Sequence, residues 1–90
     1  MKIKGEFILR NVVGETVLIP VNETALEFNG MCIVNPTGTD IWRLVSEGRT
    51  KEEIISEMGA MYNVSKEVLE NDVDEFILDL ARAGIVDIDS

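Results

Sequence analysis

The hydrophobic period of this chain changes once, at Asn35-Pro36, and that change decides its architecture. Upstream, residues 6–13 and 15–21 are rich in Val, Ile, Leu, Phe and Thr, with Gly14 between them as the turn residue, which predicts an antiparallel hairpin. Alternation places Phe7, Leu9 and Val13 on one face and Ile8, Arg10 and Val12 on the other. Pro20 lacks an N–H and is expected on an edge or at a bulge. Ala25-Leu26-Glu27-Phe28, Asn29-Gly30 and Met31-Cys32-Ile33-Val34 read as a second hairpin, because an Asn-Gly pair tolerates the positive φ of a type I′ turn. A third strand at 31–34 follows.

Downstream the spacing is helical. Asn35 can cap with Pro36 at the first helical position, or Thr37 can cap with Asp40 three residues on. Ile41, Trp42, Leu44 and Val45 form the apolar face of a helix over about 36–47, which Gly48 ends. Thr50 and Glu53 make a capping box for a second helix over about 51–62, with Ile54, Ile55, Met58, Met61 and Tyr62 at helical spacing. Ser65 caps a third over about 66–83, where Leu69, Val73, Phe76 and Leu80 recur at steps of four, three and four. Trp42 and Tyr62 are expected in the core and at its edge, and residues 85–88 as a short closing strand or docked tail. The expected fold is one α+β domain over residues 1–90. It is winged helix-turn-helix-like, with an N-terminal three-stranded antiparallel sheet followed by three helices.

Composition removes most chemistries. With 90 residues and no histidine, the chain has neither an imidazole base nor a His/Cys metal cage, so no enzyme activity, metal or cofactor is expected. Its single cysteine, Cys32, is read as a small apolar residue, buried or half-buried, and suits a reducing cytoplasm. Lys2, Lys4, Glu6 and Arg10 interrupt the first ten residues, so a signal peptide is not expected there, and no apolar run is long enough to cross a membrane. Of the net charge of −9, the first 45 residues carry −1, from four basic and five acidic side chains. The last 45 carry −8, from four basic and twelve acidic ones. The third helix sets only Lys66 and Arg82 against six acids, which excludes it as a nucleic-acid recognition helix. Those acids lack the loop glycine and alternating spacing of a calcium loop and read as a solvated face.

Peptide binding is left. Met31-Cys32-Ile33-Val34 contains no charge and no proline, so as an edge strand it lacks the usual protection against pairing with another chain. Such an edge invites an extended peptide to add as a strand. On the third helix Leu78 falls opposite Leu69 and Val73, as either a lone exposed leucine or the wall of a groove or dimer contact.

The ordered series Phe28-Asn29-Gly30-Met31-Cys32-Ile33-Val34-Asn35-Pro36-Thr37-Gly38-Thr39-Asp40-Ile41-Trp42 resembles the family of coenzyme PQQ synthesis protein D. The resemblance continues through Glu47-Gly48-Arg49-Thr50-Lys51-Glu52-Glu53-Ile54, Tyr62-Asn63-Val64-Ser65, the acidic third helix and Ala83-Gly84-Ile85-Val86. It implies a recognition element for ribosomally synthesised, post-translationally modified peptides. Such an element binds the leader segment of a precursor and delivers it to a radical S-adenosylmethionine enzyme, without chemistry of its own. Carried over by position, the contacts are the backbone of Met31, Cys32, Ile33 and Val34, with Asp74, Glu75, Leu78 and Arg82 on the third helix. Pro36 departs from the pattern and cannot donate a hydrogen bond, which ends the useful edge at Asn35. PQQ itself is not implied, and the acidic surface suits a basic leader or a basic patch on the maturing enzyme. The alternatives are an acidic winged-helix scaffold or regulatory interaction domain, and a homodimer through the same edge.

Overall fold

The computed structural model describes residues 1–28 and 32–88. In chain order its elements are β1 (Lys2–Ile3), β2 (Phe7–Val12), β3 (Glu15–Pro20), α1 (Thr24–Glu27), β4 (Cys32–Val34), α2 (Pro36–Ser46), α3 (Lys51–Met61), α4 (Lys66–Arg82) and β5 (Val86–Asp87). The class is α+β, with an antiparallel sheet in the order β2-β3-β4 and a two-stranded pairing of β1 with β5.

The first hairpin forms as its sequence predicts. Phe7 pairs with Pro20 and Val12 with Glu15, leaving Val13 and Gly14 as a two-residue turn. Their φ values of 50° and 81° are those of a type I′ turn, whose twist matches the flanking strands. Val13 therefore leaves the face of Phe7 and Leu9 and stands 98% exposed. β3 is the central strand, and among the described residues β4 pairs with its Thr16, Val17 and Leu18. Pro20 pairs with Phe7 of β2, and among the described residues no strand meets it on the other side.

The second expected hairpin is corrected. Ala25, Leu26 and Glu27 belong to the one-turn helix α1, and β4 pairs with β3 instead. Hydrogen bonds at Asn22 and Thr24 outweigh the weak strand propensity of these helix-forming residues. Asn22 turns the chain at φ 56°, and its carbonyl accepts from the Ala25 N–H. The Glu6 N–H donates to Thr24 Oγ1 at 2.8 Å, and Asn22 Nδ2 donates to Glu6 Oε2 at 2.7 Å. Gly5 makes this approach feasible, since at φ 146° a Cβ would lie 2.8 Å from both Thr24 Oγ1 and Cγ2. The expected Asn29-Gly30 turn lies outside the described residues.

The three long helices start where their caps predict. Asn35 Oδ1 accepts from the Gly38 N–H at 2.6 Å with Pro36 in the first helical position, so Asn35 is the cap rather than Thr37. Thr50 and Glu53 form the reciprocal capping box, and Ser65 Oγ accepts from the Val68 N–H. Gly48 and Gly84 follow α2 and α4 at φ 80° and 79°. Residues 85–88 contribute β5, with Ile3 opposite Val86, a pairing that two-residue strands do not announce in sequence.

The core lies between the helices and the inner face of the sheet. Leu18, Ile41, Ile54, Met58 and Val73 are its fully buried large side chains. The Phe7 ring meets buried Trp42 edge-on at 5.9 Å and Phe28 at 5.4 Å, joining the sheet to α2. Tyr62 sits at the core's margin and donates to Asp40 Oδ2 at 2.5 Å, tying the end of α3 to α2. Among the described residues no helix is long and apolar enough to cross a membrane.

Candidate functional site

Strand β4 has β3 on one side and, among the described residues, no strand on the other. Val34 points into the core, while Ile33 projects outward at 68% exposure. Cys32 is exposed, which corrects the expected burial. It shares a face with Val34 and stands at the start of this outer strand. Cys32, Ile33 and Val34 bring to this edge neither the charge nor the proline that usually guards an open strand. Met31, expected to share it, lies outside the described residues.

Immediately after β4 the chain passes through the Asn35 cap into α2, and a groove of about 310 Å³ opens between the start of α2 and α4. Asn35, Thr37, Gly38 and Ile41 line one wall. Asp72, Glu75, Phe76 and Asp79 line the other, at the i, i+3, i+4, i+7 spacing that forms one helical stripe. The walls meet because Gly38 has no side chain: a Cβ there would lie 2.8 Å from Phe76 Cε1. The cap thus has two consequences, starting α2 and setting the groove directly beside the open strand.

Asp72, Glu75 and Asp79 are exposed, and none takes part in the ion pairs of the described residues. Nor do three acidic side chains among the described residues converge as a metal ion would require. The groove is an anionic surface with an aromatic ring in its wall.

Of the helix residues expected at a peptide site, Glu75 is in the groove. Asp74 is not: its carboxylate pairs with the Lys51 ammonium at the start of α3, on another side of α4. That hydrogen bond is the main reason the Lys51 pKa is raised above its usual value, helped by the charges of Asp74, Glu52 and Glu70 against slight desolvation. Leu78 is 43% exposed and, like exposed Arg82, does not line the groove. Sequence reasoning does not single out Asp72, Phe76 and Asp79. Their common stripe with Glu75 is visible in the spacing, but spacing alone assigns Phe76 to the core and the acids to solvent.

Fold and site together define a small α+β domain that offers an open strand edge and an anionic groove side by side. The family model described as coenzyme PQQ synthesis protein D (PqqD) matches residues 15–86, and the chain belongs to that family. The chain is also similar to a solved structure, TbiB1 in complex with the TbiA(beta) leader peptide. The two share 26% sequence identity and a TM-score of 0.76, covering 98% of this chain and 96% of the other. Comparison with curated proteins found no match.

Proposed function

We propose that this domain binds the leader segment of a ribosomally synthesised precursor peptide and presents it to a modifying enzyme, a radical S-adenosylmethionine maturase, without chemistry of its own. The leader adds as a strand to the open edge of β4 and continues into the groove between α2 and α4. The observation that carries this reading is the unguarded edge of Cys32, Ile33 and Val34 beside that groove. Membership of the PqqD family and similarity to a chain bound to a leader peptide support it. Backbone pairing along the edge supplies affinity that does not depend on sequence, and the groove supplies discrimination. Leu78 and Arg82 flank the groove wall on α4 and are available to a longer peptide or to the enzyme.

An NMR titration of the isotope-labelled domain with the leader of a precursor peptide encoded beside it tests the proposal. Micromolar or tighter binding should shift the amides of Cys32, Ile33 and Val34 together with those of Phe76 and Asp79. Binding that leaves the β4 amides unmoved would overturn strand addition. Loss of exchange in those amides as the free protein is concentrated would instead indicate that a second copy occupies the edge.

A further inference from the structure

We propose that the outer face of the three-stranded sheet is where the modifying enzyme docks, through an apolar surface that carries a carboxylate for Arg10, and that the bound leader forms part of what the enzyme touches. This rests on the leader-binding reading and gives the second partner its site.

Each strand of the sheet is apolar on both faces. Phe7-Ile8-Leu9, Val17-Leu18-Ile19 and Cys32-Ile33-Val34 are continuous apolar runs, the pattern of strands covered on two sides rather than of a sheet with one face in water. Yet the core built with the helices takes one face. Leu18 belongs to it, with Phe7 and Leu9 packed against it, whereas Ile8, Val12, Val17, Ile19 and Ile33 do not. The register gathers these on the opposite face in rows, Ile8 beside Ile19, and Arg10 beside Val17 beside Ile33. Val17 is buried at the centre of the patch, Ile8 and Val12 are each 42% exposed, and Ile33 is more exposed still. A contiguous apolar patch on the surface of so charged a domain marks a contact surface.

Three observations choose the occupant. Arg10 stands in the middle of the patch and takes part in none of the ion pairs of the described residues, so a partner carboxylate there gains a charge-assisted hydrogen bond. The sheet also lies in the half of the chain with a net charge of −1 rather than −8, where an anionic surface meets the least repulsion. Size argues against a permanent second copy. From about 4.8 Å between strands and 3.4 Å per residue the face spans roughly 15 Å by 20 Å, well under the about 800 Å² that each partner buries in a stable complex. A contact of that size forms and releases, as presentation of a substrate requires. Finally, Ile33 belongs both to this face and to the open edge of β4. A leader strand added at that edge turns its alternate side chains onto the same face and widens it from three strands to four. The enzyme therefore meets domain and leader together and favours the loaded domain over the empty one.

Calorimetry with the modifying enzyme encoded beside the domain, with and without saturating leader, tests this on the wild type and on Ile8→Thr/Arg10→Glu/Val12→Thr. These substitutions lie on β2, the strand farthest from the leader edge, and keep side chains that suit a strand. The wild type should bind the enzyme severalfold more tightly when loaded. The variant should lose about tenfold or more in enzyme affinity, as for a truncated interface centre, while leader still shifts its β4 amides as in the wild type. Methyl cross-saturation from the enzyme onto the unaltered domain, which needs no variant to fold, should reach Ile8, Ile19 and Ile33 and spare Ile55, which lines a cleft between α3 and α4. Equal enzyme affinity of variant and wild type, no gain from the leader, or saturation of Ile55 in place of Ile8 overturns this inference and leaves leader binding standing. A mass that rises with concentration for the wild type but not for the variant would place a second copy on the face and overturn it too. A leader that leaves the β4 amides unmoved overturns the reading beneath it.

Discussion

Replacing Val13 by Asn should stabilise the domain. Val13 has φ 50° in the turn between β2 and β3. For a residue with a Cβ this left-handed conformation costs about 1–2 kcal/mol, and branching at Cβ makes valine among the worst choices. At 98% exposure Val13 has almost no packing to lose, so the burial term that usually opposes such a change is absent. Asparagine before Gly14 gives the Asn-Gly pair that type I′ turns favour and recovers about 1 kcal/mol of the strain. For a domain of this size that is a rise in melting temperature of roughly 4–8 °C. Thermal melts followed by circular dichroism, with urea titration at fixed temperature, measure it. Gly14→Ala is the converse: at φ 81°, with no atom within 4 Å of the new Cβ, it should cost about 1 kcal/mol by backbone strain alone. A Val13→Asn variant that melts at or below the wild-type temperature would refute the turn assignment. Because the turn is not part of the groove, the same variant should bind peptide unchanged and serves as a stability control.

Met58→Ala removes a fully buried side chain from the contact of α3 with the core and should cost about 2–5 kcal/mol, enough to leave so small a domain barely folded, as chemical denaturation would show. Tyr62 is the only tyrosine, so ultraviolet absorbance reads its ionisation directly. The hydrogen bond to Asp40, with some desolvation and the Asp40 charge, raises its pKa above the ordinary 10.0, and a titration midpoint at or below that value would contradict the bond. Since the folded pKa is the higher one, the associated stability is present below pH 10 and is lost as pH rises through the folded value, so wild type and Tyr62→Phe should converge in strong alkali. Glu53 behaves oppositely: its hydrogen bonds with the Thr50 backbone and side chain lower its pKa below 4.5, so its contribution is present above that pH and is lost as pH falls through the lowered value. Glu53→Gln should flatten that part of the acid unfolding profile.

The caps of the three long helices, a hairpin turn at Gly14 and the division into strands and then helices are legible in the sequence because each depends on residues a few positions apart, whereas Val13 reads as strand and belongs to the turn. Asn35 reaches Gly38, Thr50 reaches Glu53, and Ser65 reaches Val68. Residues 25–28 read as a strand but do not form one, because turn hydrogen bonds at Asn22 and a tether from Glu6, sixteen or more positions away, override a weak local preference. Cys32 reads as buried or half-buried but is exposed, because composition does not record which side chains the fold covers. At the site, the bare edge of β4 can be seen in the absence of charge and proline. Asp74 and Glu75 cannot be told apart, since adjacent helical residues look equally acidic until neighbouring helices are placed.

The sequence by itself determined the first hairpin, the three long helices with their caps and the unguarded character of one strand, since propensity, capping and charge act over a turn or two of chain. Only the tertiary structure decided which flank of α4 faces the groove. Lys51 of α3 neutralises Asp74 on one side, while Phe76 packs against Gly38 of α2 and leaves Asp72, Glu75 and Asp79 unpaired on the other. Charge neutralisation and close packing depend on distances between segments far apart in sequence, and those distances exist only once the helices have docked.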